Sequence, residues 1–437
     1  MKYSVVTFGC RVNQADSLGF EEQFMAAGAE AAPAESADII VVNTCSVTAS
    51  ADQGARQTIR RIARLNPRAR IIVTGCYATR EPSEVARLGN VEQVIPNGQK
   101  EQLLRVIRTG DCETAAGPLI EMTTADRFGE GEGHCGSTIE PGVAGRTAFT
   151  LRVQTGCAEP CSYCIIPGTR GAPRSTPLAQ LLSEIDRVHE AGFKEVALTG
   201  VHLGSYGRDL DSEHSLITLH TALRDKCGGL EGSESALLFR ISSLEPMDCS
   251  PGIVDLVRDS SCFAPHFHLP LQHASRRVLH AMRRPYDLPY YDALVSRIQQ
   301  DIPHASIGSD IIVGFPGESD DDFEELARYL DDSPLTHLHV FPYSDRPGTA
   351  ASKLGNRAAG AVVKERGARI RRIGSVLTRR FVEAQSGTIH RALTLEDGSR
   401  VVTGNYLKVG IAPGLTRNRW VNVRITACYP ELRGQVQ

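Results

Sequence analysis

The sequence predicts an α/β protein built from parts in series. A doubly wound, Rossmann-like domain covers residues 1–112, a linker 113–145, a partial (β/α)6 barrel 146–370 and a small C-terminal β-barrel 371–437. Three observations carry this reading. Strand-like and helix-like stretches alternate on both sides of the linker, as parallel sheets require. Past residue 146, six β-rich runs each lead into a loop of the kind that forms a site at the mouth of a barrel. The final part changes to short β-like runs broken by Gly and Pro.

In the first part, the apolar run 3–8 ends in Gly9-Cys10, and residues 16–29 are helix-like. Strand 38–42 ends in Asn43-Thr44-Cys45. Residues 50–65 form an Arg-rich helix stopped by Pro67, and strand 70–73 ends in Thr74-Gly75-Cys76. Residues 113–146 scatter Gly, Pro, Thr and acids, with Gly-Glu-Gly-Glu-Gly at 129–133, and read as a linker in which Cys112 and Cys135 are incidental. Beyond it come strand 148–154, helix 177–191 and strands 195–199, 237–241, 266–271, 306–313 and 337–341. Their following loops place the Cys157 loop, Gly200, Ser243, Gln272 and Gly314 around one mouth. His266/His268 and His337/His339 alternate along strands, so each pair faces one way. A metal pair is conceivable, but each histidine is read as a strand residue satisfied by hydrogen bonds.

The tail opens with a basic helix, 368–381, followed by β-like runs 391–395, 400–403, 406–409 and 420–426, which suggest an OB-like barrel. Trp420, the single tryptophan, is read as its core plug. Net charge is −3 over 437 residues, yet residues 366–437 hold 13 Lys and Arg against four acids, leaving −12 on the rest. A basic module on an acidic body points to a polyanion partner. No apolar run reaches the ~18 residues of a membrane span, and the start lacks the build of a secretion signal. The expectation is a cytoplasmic protein with no membrane partner, whose 12 cysteines are thiols or metal ligands.

Two sets of cysteines carry the chemistry. Cys157, Cys161 and Cys164 read C-A-E-P-C-S-Y-C. A structural zinc site closes with four ligands in paired spacing, and the next cysteine is Cys227. A ferredoxin spaces its cysteines differently. Three thiolates hold three irons of a four-iron cluster and leave the fourth open to chelate S-adenosylmethionine (SAM), the signature of the radical-SAM superfamily. Cys10, Cys45 and Cys76 each follow a strand of the first domain. Ligands gather at the carboxyl ends of such strands, so the three should converge on a second open-iron cluster. The competing reading is three buried free cysteines acting as small hydrophobes.

With both triads placed, the chain resembles the methylthiotransferase family, which joins an N-terminal methylthiotransferase domain, a radical-SAM core and a TRAM domain. The resemblance rests on Thr7–Gln14 (T-F-G-C-R-V-N-Q), Asn43-Thr44-Cys45-Ser46-Val47-Thr48, Thr74-Gly75-Cys76-Tyr77, Cys164-Ile165-Ile166-Pro167, Arg170-Gly171 and Asp310-Ile311-Ile312-Val313-Gly314-Phe315-Pro316-Gly317-Glu318. Leu198-Thr199-Gly200-Val201-His202, Ser205-Tyr206-Gly207 and Arg240-Ile241-Ser242-Ser243-Leu244-Glu245 resemble its MtaB branch. Ala158, Pro160 and Gln272-His273-Ala274-Ser275 depart from the usual pattern.

The resemblance implies methylthiolation of N6-threonylcarbamoyladenosine in tRNA, beside the anticodon. Sister branches act on isopentenyladenosine in tRNA or on an aspartate of a ribosomal protein. It implies two 4Fe-4S clusters, SAM, an external electron donor and a sulfur donor. The Cys157/Cys161/Cys164 cluster would generate a 5′-deoxyadenosyl radical that removes hydrogen from the inert adenine carbon. The Cys10/Cys45/Cys76 cluster would carry the added sulfur. No catalytic residue beyond the cluster ligands is assigned; Gly200, Ser243 and Gly314 are candidates for the cofactor pocket. Arg56, Arg60, Arg61 and Arg64 either extend the tRNA contact or form a solvated helix face. A non-enzymatic iron–sulfur RNA-binding protein is the rival class, disfavoured by the glycine-bearing strand ends.

Overall fold

Five parallel strands form the first sheet of the computed structural model, which describes residues 1–109, 147–230 and 232–437. The predicted linker, with Cys112, Cys135 and the run 129–133, lies outside the described residues. The strands are β1 (Lys2–Thr7), β2 (Glu30–Ala31), β3 (Ile39–Thr44), β4 (Arg70–Gly75) and β5 (Val91–Ile95), in the order β2-β1-β3-β4-β5. Alternation along β3 explains the winding. Ile39 and Val41 bury against Phe20 and Phe24 of helix Arg11–Ala26, whereas Ile40 and Val42 bury against Ala55, Ile59 and Ile62 of helix Ala49–Leu65. A strand covered on both faces is apolar throughout, as Ile39-Ile40-Val41-Val42 is. The Arg-rich helix is therefore amphipathic: its 55/59/62 stripe faces the sheet, and its Thr48 hydroxyl caps Ala51 N at 3.2 Å.

The chain divides into two compact units. One holds residues 1–109 together with Gly156–Ala158 and Cys164–Ala172; the other holds 147–155, Glu159–Tyr163 and Pro173–Gln437, omitting residue 231. In the second unit, β6 (Ala148–Arg152) is followed by a short hairpin of β7 (Gln154–Thr155) and β8 (Arg174–Ser175). Next come β9 (Glu195–Thr199), β10 (Leu238–Ile241), β11 (His266–His268), β12 (Ser306–Val313) and β13 (His337–Pro342). They form two parallel sheets, β10-β9-β6 and β11-β12-β13. Phe239 N donates to Cys262 O (2.7 Å) and Ala264 N to Phe239 O (2.8 Å), which joins the sheets between β10 and β11. The result is the open six-stranded barrel wall that the sequence predicts, backed by helices that include Leu178–Glu190, Leu216–Cys227 and Leu288–Asp301.

The basic helix expected at 368–381 runs Gly360–Ala384. Ile370, Ile373 and Leu377 form an apolar stripe that joins the barrel core, and buried Arg366 pairs with Glu318 and Asp320 at 2.6 Å each. Residues 370 and 371 are consecutive positions within it. Next come β14 (Ile389–Leu395), β15 (Arg400–Thr403), β16 (Lys408–Gly410), β17 (Trp420–Ala427) and β18 (Arg433–Val436), closed in the order β14-β15-β16-β18-β17. The barrel interior is Ala392, Val401, Leu407, Val409, Val423 and Ile425. Trp420 is not among them, which corrects its reading as the plug. Its Nε1 donates to Ala236 O at 2.9 Å and Arg391 covers its ring at 4.4 Å, so it ties the barrel to the core. Fully buried Arg240 makes a second tie, donating to Glu195 Oε1 and to Gly404 O, each at 2.8 Å.

His220 sits fully buried edge-on to Phe263, ring centroids 5.4 Å apart, and neither ring nitrogen has a hydrogen-bond partner. Burial pushes its pKa down to about 3. A histidine whose folded pKa is depressed contributes stability that is intact above the unfolded value of about 6.5 and is lost as pH falls below it. His220→Phe is expected to flatten the fall in Tm between pH 7 and 5; an unchanged acid limb would place the acid sensitivity elsewhere.

Candidate functional site: two cysteine-bearing edges

Cys10, Cys45 and Cys76 follow β1, β3 and β4, three adjacent strands, at their carboxyl ends. Two glycines let the loops close on one another. A Cβ at Gly9 (φ +90°) would lie 2.5 Å from Cys45 Sγ, and one at Gly75 (φ +94°) would lie 2.2 Å from Thr44 O. Cys45 and Cys76 are buried and Cys10 is exposed. Burial pushes the Cys45 thiol up to about 11, and the neighbouring Cys10 and Cys76 add to the rise. Three cysteines brought together by adjacent strand ends fit a four-iron cluster, in which each thiolate would bind a different iron.

The surroundings are cationic. Arg170 Nη2 donates to Asn13 Oδ1 and lies 3.2 Å from Asp16 Oδ2, and Lys100 Nζ pairs with the same Asp16 oxygen. All three charged side chains are at most 4% exposed. Burial opposes the charge on Arg170, but Asp16, Cys76 and Cys10 together hold its pKa above the usual value. Two buried cations face one carboxylate, and Arg170 acts on Cys45 against the larger effect of burial. Asn97 Nδ2 donates to Cys76 Sγ (3.7 Å) and to Thr169 O (2.9 Å). Thus helix Ile166–Arg170, just past Cys164, supplies residues to the Cys10/Cys45/Cys76 edge.

In the second motif, Cys157 N donates to Gly171 O at 3.0 Å, and all three thiols are partly buried. Arg284 Nη1 approaches Cys161 Sγ at 3.2 Å, while its Nη2 pairs with Glu245 and its Nε donates to Tyr286 Oη at 3.0 Å. Ser162 anchors the loop: its N donates to Met282 O (3.0 Å) and its hydroxyl to Ala281 O (2.7 Å). Buried His202 bridges Asp248 Oδ2 (2.9 Å) and, more distantly, Glu159 Oε1 (3.8 Å).

Gly200, Ser243 and Gly314 follow β9, β10 and β12 at their carboxyl ends. A Cβ at Gly200 would meet Leu203 Cδ2 at 2.8 Å, and one at Gly314 (φ +76°) would meet Val363 Cγ2 at 2.5 Å. Packing therefore accounts for both glycines. Ser243 is exposed, whereas the hydroxyl of neighbouring Ser242 is buried without a hydrogen-bond partner. His273 is fully buried, accepts from Ser275 N at 3.0 Å and is held neutral by burial, its pKa pushed down to about 3. On the Arg-rich helix, Arg56 is taken up by Tyr77 Oη (3.1 Å) and Glu84 (3.3 Å), leaving Arg60, Arg61 and Arg64 exposed. Sequence reasoning missed Arg170 as a site residue, and with it Lys100, Asn97 and Arg284. The signal available was the scarcity of buried Lys and Arg, which needs the fold before it can be read.

The barrel wall and its cysteine loop define a radical-SAM protein: residues 151–330 match the model of the radical SAM superfamily. Residues 2–96 match the family described as uncharacterized protein family UPF0004. A curated relative, threonylcarbamoyladenosine tRNA methylthiotransferase MtaB of Aquifex aeolicus, is 37% identical over 94% of this chain and 96% of its own length. Its counterpart in Bacillus subtilis is 31% identical over 92% and 88%. The tRNA-2-methylthio-N(6)-dimethylallyladenosine synthase of Thermobifida fusca is 32% identical over 83% and 72%. The chain belongs to the MtaB-type methylthiotransferase family. Among solved structures, the radical SAM methyltransferase TsrM of Kitasatospora setae shares the fold, with a TM-score of 0.58 at 14% identity over 80% of this chain and 74% of that one. Among the described residues, no helix is long and apolar enough to cross a membrane.

Proposed function

We propose that this protein is a tRNA-modifying enzyme that adds a methylthio group to N6-threonylcarbamoyladenosine. The observation that carries the substrate is the near full-length match to relatives named for that reaction. Cys157, Cys161 and Cys164 would hold one 4Fe-4S cluster, and Cys10, Cys45 and Cys76 a second. With SAM and an electron from an external donor, the first would supply a carbon radical strong enough to take hydrogen from an aromatic carbon; the second would present sulfur obtained from a sulfur donor and methylated by a second SAM.

The protein's own residues hold these groups and the RNA. Burial pushes the Cys161 thiol up, and Arg284, donating to its sulfur, works against that rise. Arg170 and Lys100 offset the negative charge of the other three thiolates. Gly200, Ser243 and Gly314 line the strand ends where SAM would lie. The domain reading is 1–112 for the methylthiotransferase part, 113–145 for the linker, 146–370 for the radical-SAM core and 371–437 for TRAM. A cytoplasmic location, where tRNA and reductant meet, is part of the proposal.

The closed tail barrel exposes Arg400, Lys408, Arg417, Arg424 and Arg433. Phosphate contacts from such side chains give affinity that falls with salt, and the target base must sit in an unpaired loop. Replacing Lys408, Arg417 and Arg433 together by Ala is expected to weaken tRNA binding. Each lost phosphate contact should also lower the slope of log K against log salt by about 1. Unchanged affinity and slope would remove the barrel face from the RNA contact.

Mass spectrometry of tRNA nucleosides from cells lacking the protein tests the substrate. Loss of the methylthio form, with unmodified N6-threonylcarbamoyladenosine accumulating, is expected. Loss of methylthio-isopentenyladenosine instead would assign the sister reaction; no change in either would point to a protein substrate.

A further inference from the structure

Four histidines and one aspartate share one face of the β11-β12-β13 sheet. The register pairs His268 with Gly308, Gly308 with His337, and Asp310 with His339. Residues two apart on a strand face the same way, so His268, His337, His339 and Asp310 project together. Gly308 makes room for them: a Cβ there would lie 2.0 Å from His337 Nε2. His268 Nε2 and His339 Nδ1 then converge on one carboxylate oxygen, Asp310 Oδ1, at 3.0 and 3.3 Å. The pairing runs across strands, not within either His-x-His pair.

We propose that His268, Asp310 and His339 form a divalent transition-metal site, separate from both cysteine triads. Among the described residues, this is the group of three potential ligands whose donor atoms all lie within 4.8 Å of one another. Zinc bonds to His nitrogen and carboxylate oxygen are about 2.0–2.2 Å. Ligands at such lengths, at right-angled to tetrahedral angles, stand roughly 3 Å apart, which is the spacing of the two measured edges. Two imidazoles and one carboxylate suit Zn2+ or Fe2+ and leave coordination positions open. The openings face outward, because the His339 side chain is 57% exposed while that of His268 is 9% exposed. His337 stands behind, its ring 5.6 Å from that of His339 and its Nδ1 engaged by Thr336 Oγ1 at 3.1 Å. An ion here would present a bound water, or an oxygen of a ligand, on the barrel wall.

The test is equilibrium dialysis of anaerobically prepared protein, with both cysteine sites loaded with iron and sulfide, against Zn2+, with elemental analysis and zinc X-ray absorption. One zinc per chain is expected, with nitrogen and oxygen neighbours at about 2.0–2.2 Å. His339→Ala, at an exposed position, should weaken zinc binding at least tenfold without changing iron content. His268→Gln should do the same. No retained zinc, equal affinity in His339→Ala, or sulfur neighbours at about 2.3 Å would each overturn the proposal.

Discussion

Replacing Cys157, Cys161 and Cys164 by Ala is expected to abolish 5′-deoxyadenosine formation altogether. It should also remove about four of about eight irons per reconstituted chain. The matching replacement of Cys10, Cys45 and Cys76 should remove a similar share of iron with a different consequence. SAM cleavage persists because the open-iron site is intact, while methylthio product is lost. The asymmetry follows from the proposed division of labour between a radical source and a sulfur carrier. Iron analysis with product quantification under anaerobic conditions reads both. Were the Cys10/Cys45/Cys76 variant to retain full iron, those cysteines would be structural thiols, as buried free cysteines often are.

Arg170→Met carries the second large effect. Arg170 is 1% exposed in its side chain and donates to Asn13 while pairing with Asp16. Removing one partner of a buried charge network costs about 3–5 kcal/mol, here softened because Lys100 still pairs with Asp16. The variant should unfold at lower denaturant and lose iron from the Cys10/Cys45/Cys76 site first. Arg170→Lys should recover only part of the loss, since one ammonium does not reproduce a planar fork that meets two acceptors. Wild-type stability and iron content in Arg170→Met would show that the network holds neither the fold nor the thiolates.

The parts of the fold that announce themselves in the sequence are those with strong periodicity. Strands 195–199 and 306–313 carry β-branched and apolar residues and each stops at a Gly, Gly200 and Gly314, and both appear at those positions. β18 (Arg433–Val436) escaped because Arg-Gly-Gln-Val has neither β-branched enrichment nor an apolar alternation; pairing with β17 and, at one position, with β16 makes it a strand. β2 spans two residues, too short for any period. Trp420 was misassigned because a lone aromatic in a small barrel is usually its plug, and only the Ala236 carbonyl across the seam shows otherwise.

The site was legible where chemistry fixes residue type. Cysteines at strand ends can be read from the chain, and Cys10 and Cys76 are electrostatic neighbours of Cys45 in the fold. What stayed hidden depends on tertiary placement. Arg170 stands out along the chain only as part of the Arg170-Gly171 signature, and its pairing with the distant Asp16 needs the fold. His268 and His339 meet over Asp310 because the register of three strands brings them to one face, with Gly308 making room for His337, and no spacing rule along the chain links the three.

The most direct measurement is anaerobic incubation of reconstituted protein with SAM and a strong reductant. Two tRNAs are supplied, one bearing N6-threonylcarbamoyladenosine and one bearing isopentenyladenosine, and their nucleosides are read by mass spectrometry. The methylthio derivative of the first alone, accompanied by 5′-deoxyadenosine, is the expected result. Methylthiolation of the second alone, or SAM cleavage with neither tRNA altered, would contradict it.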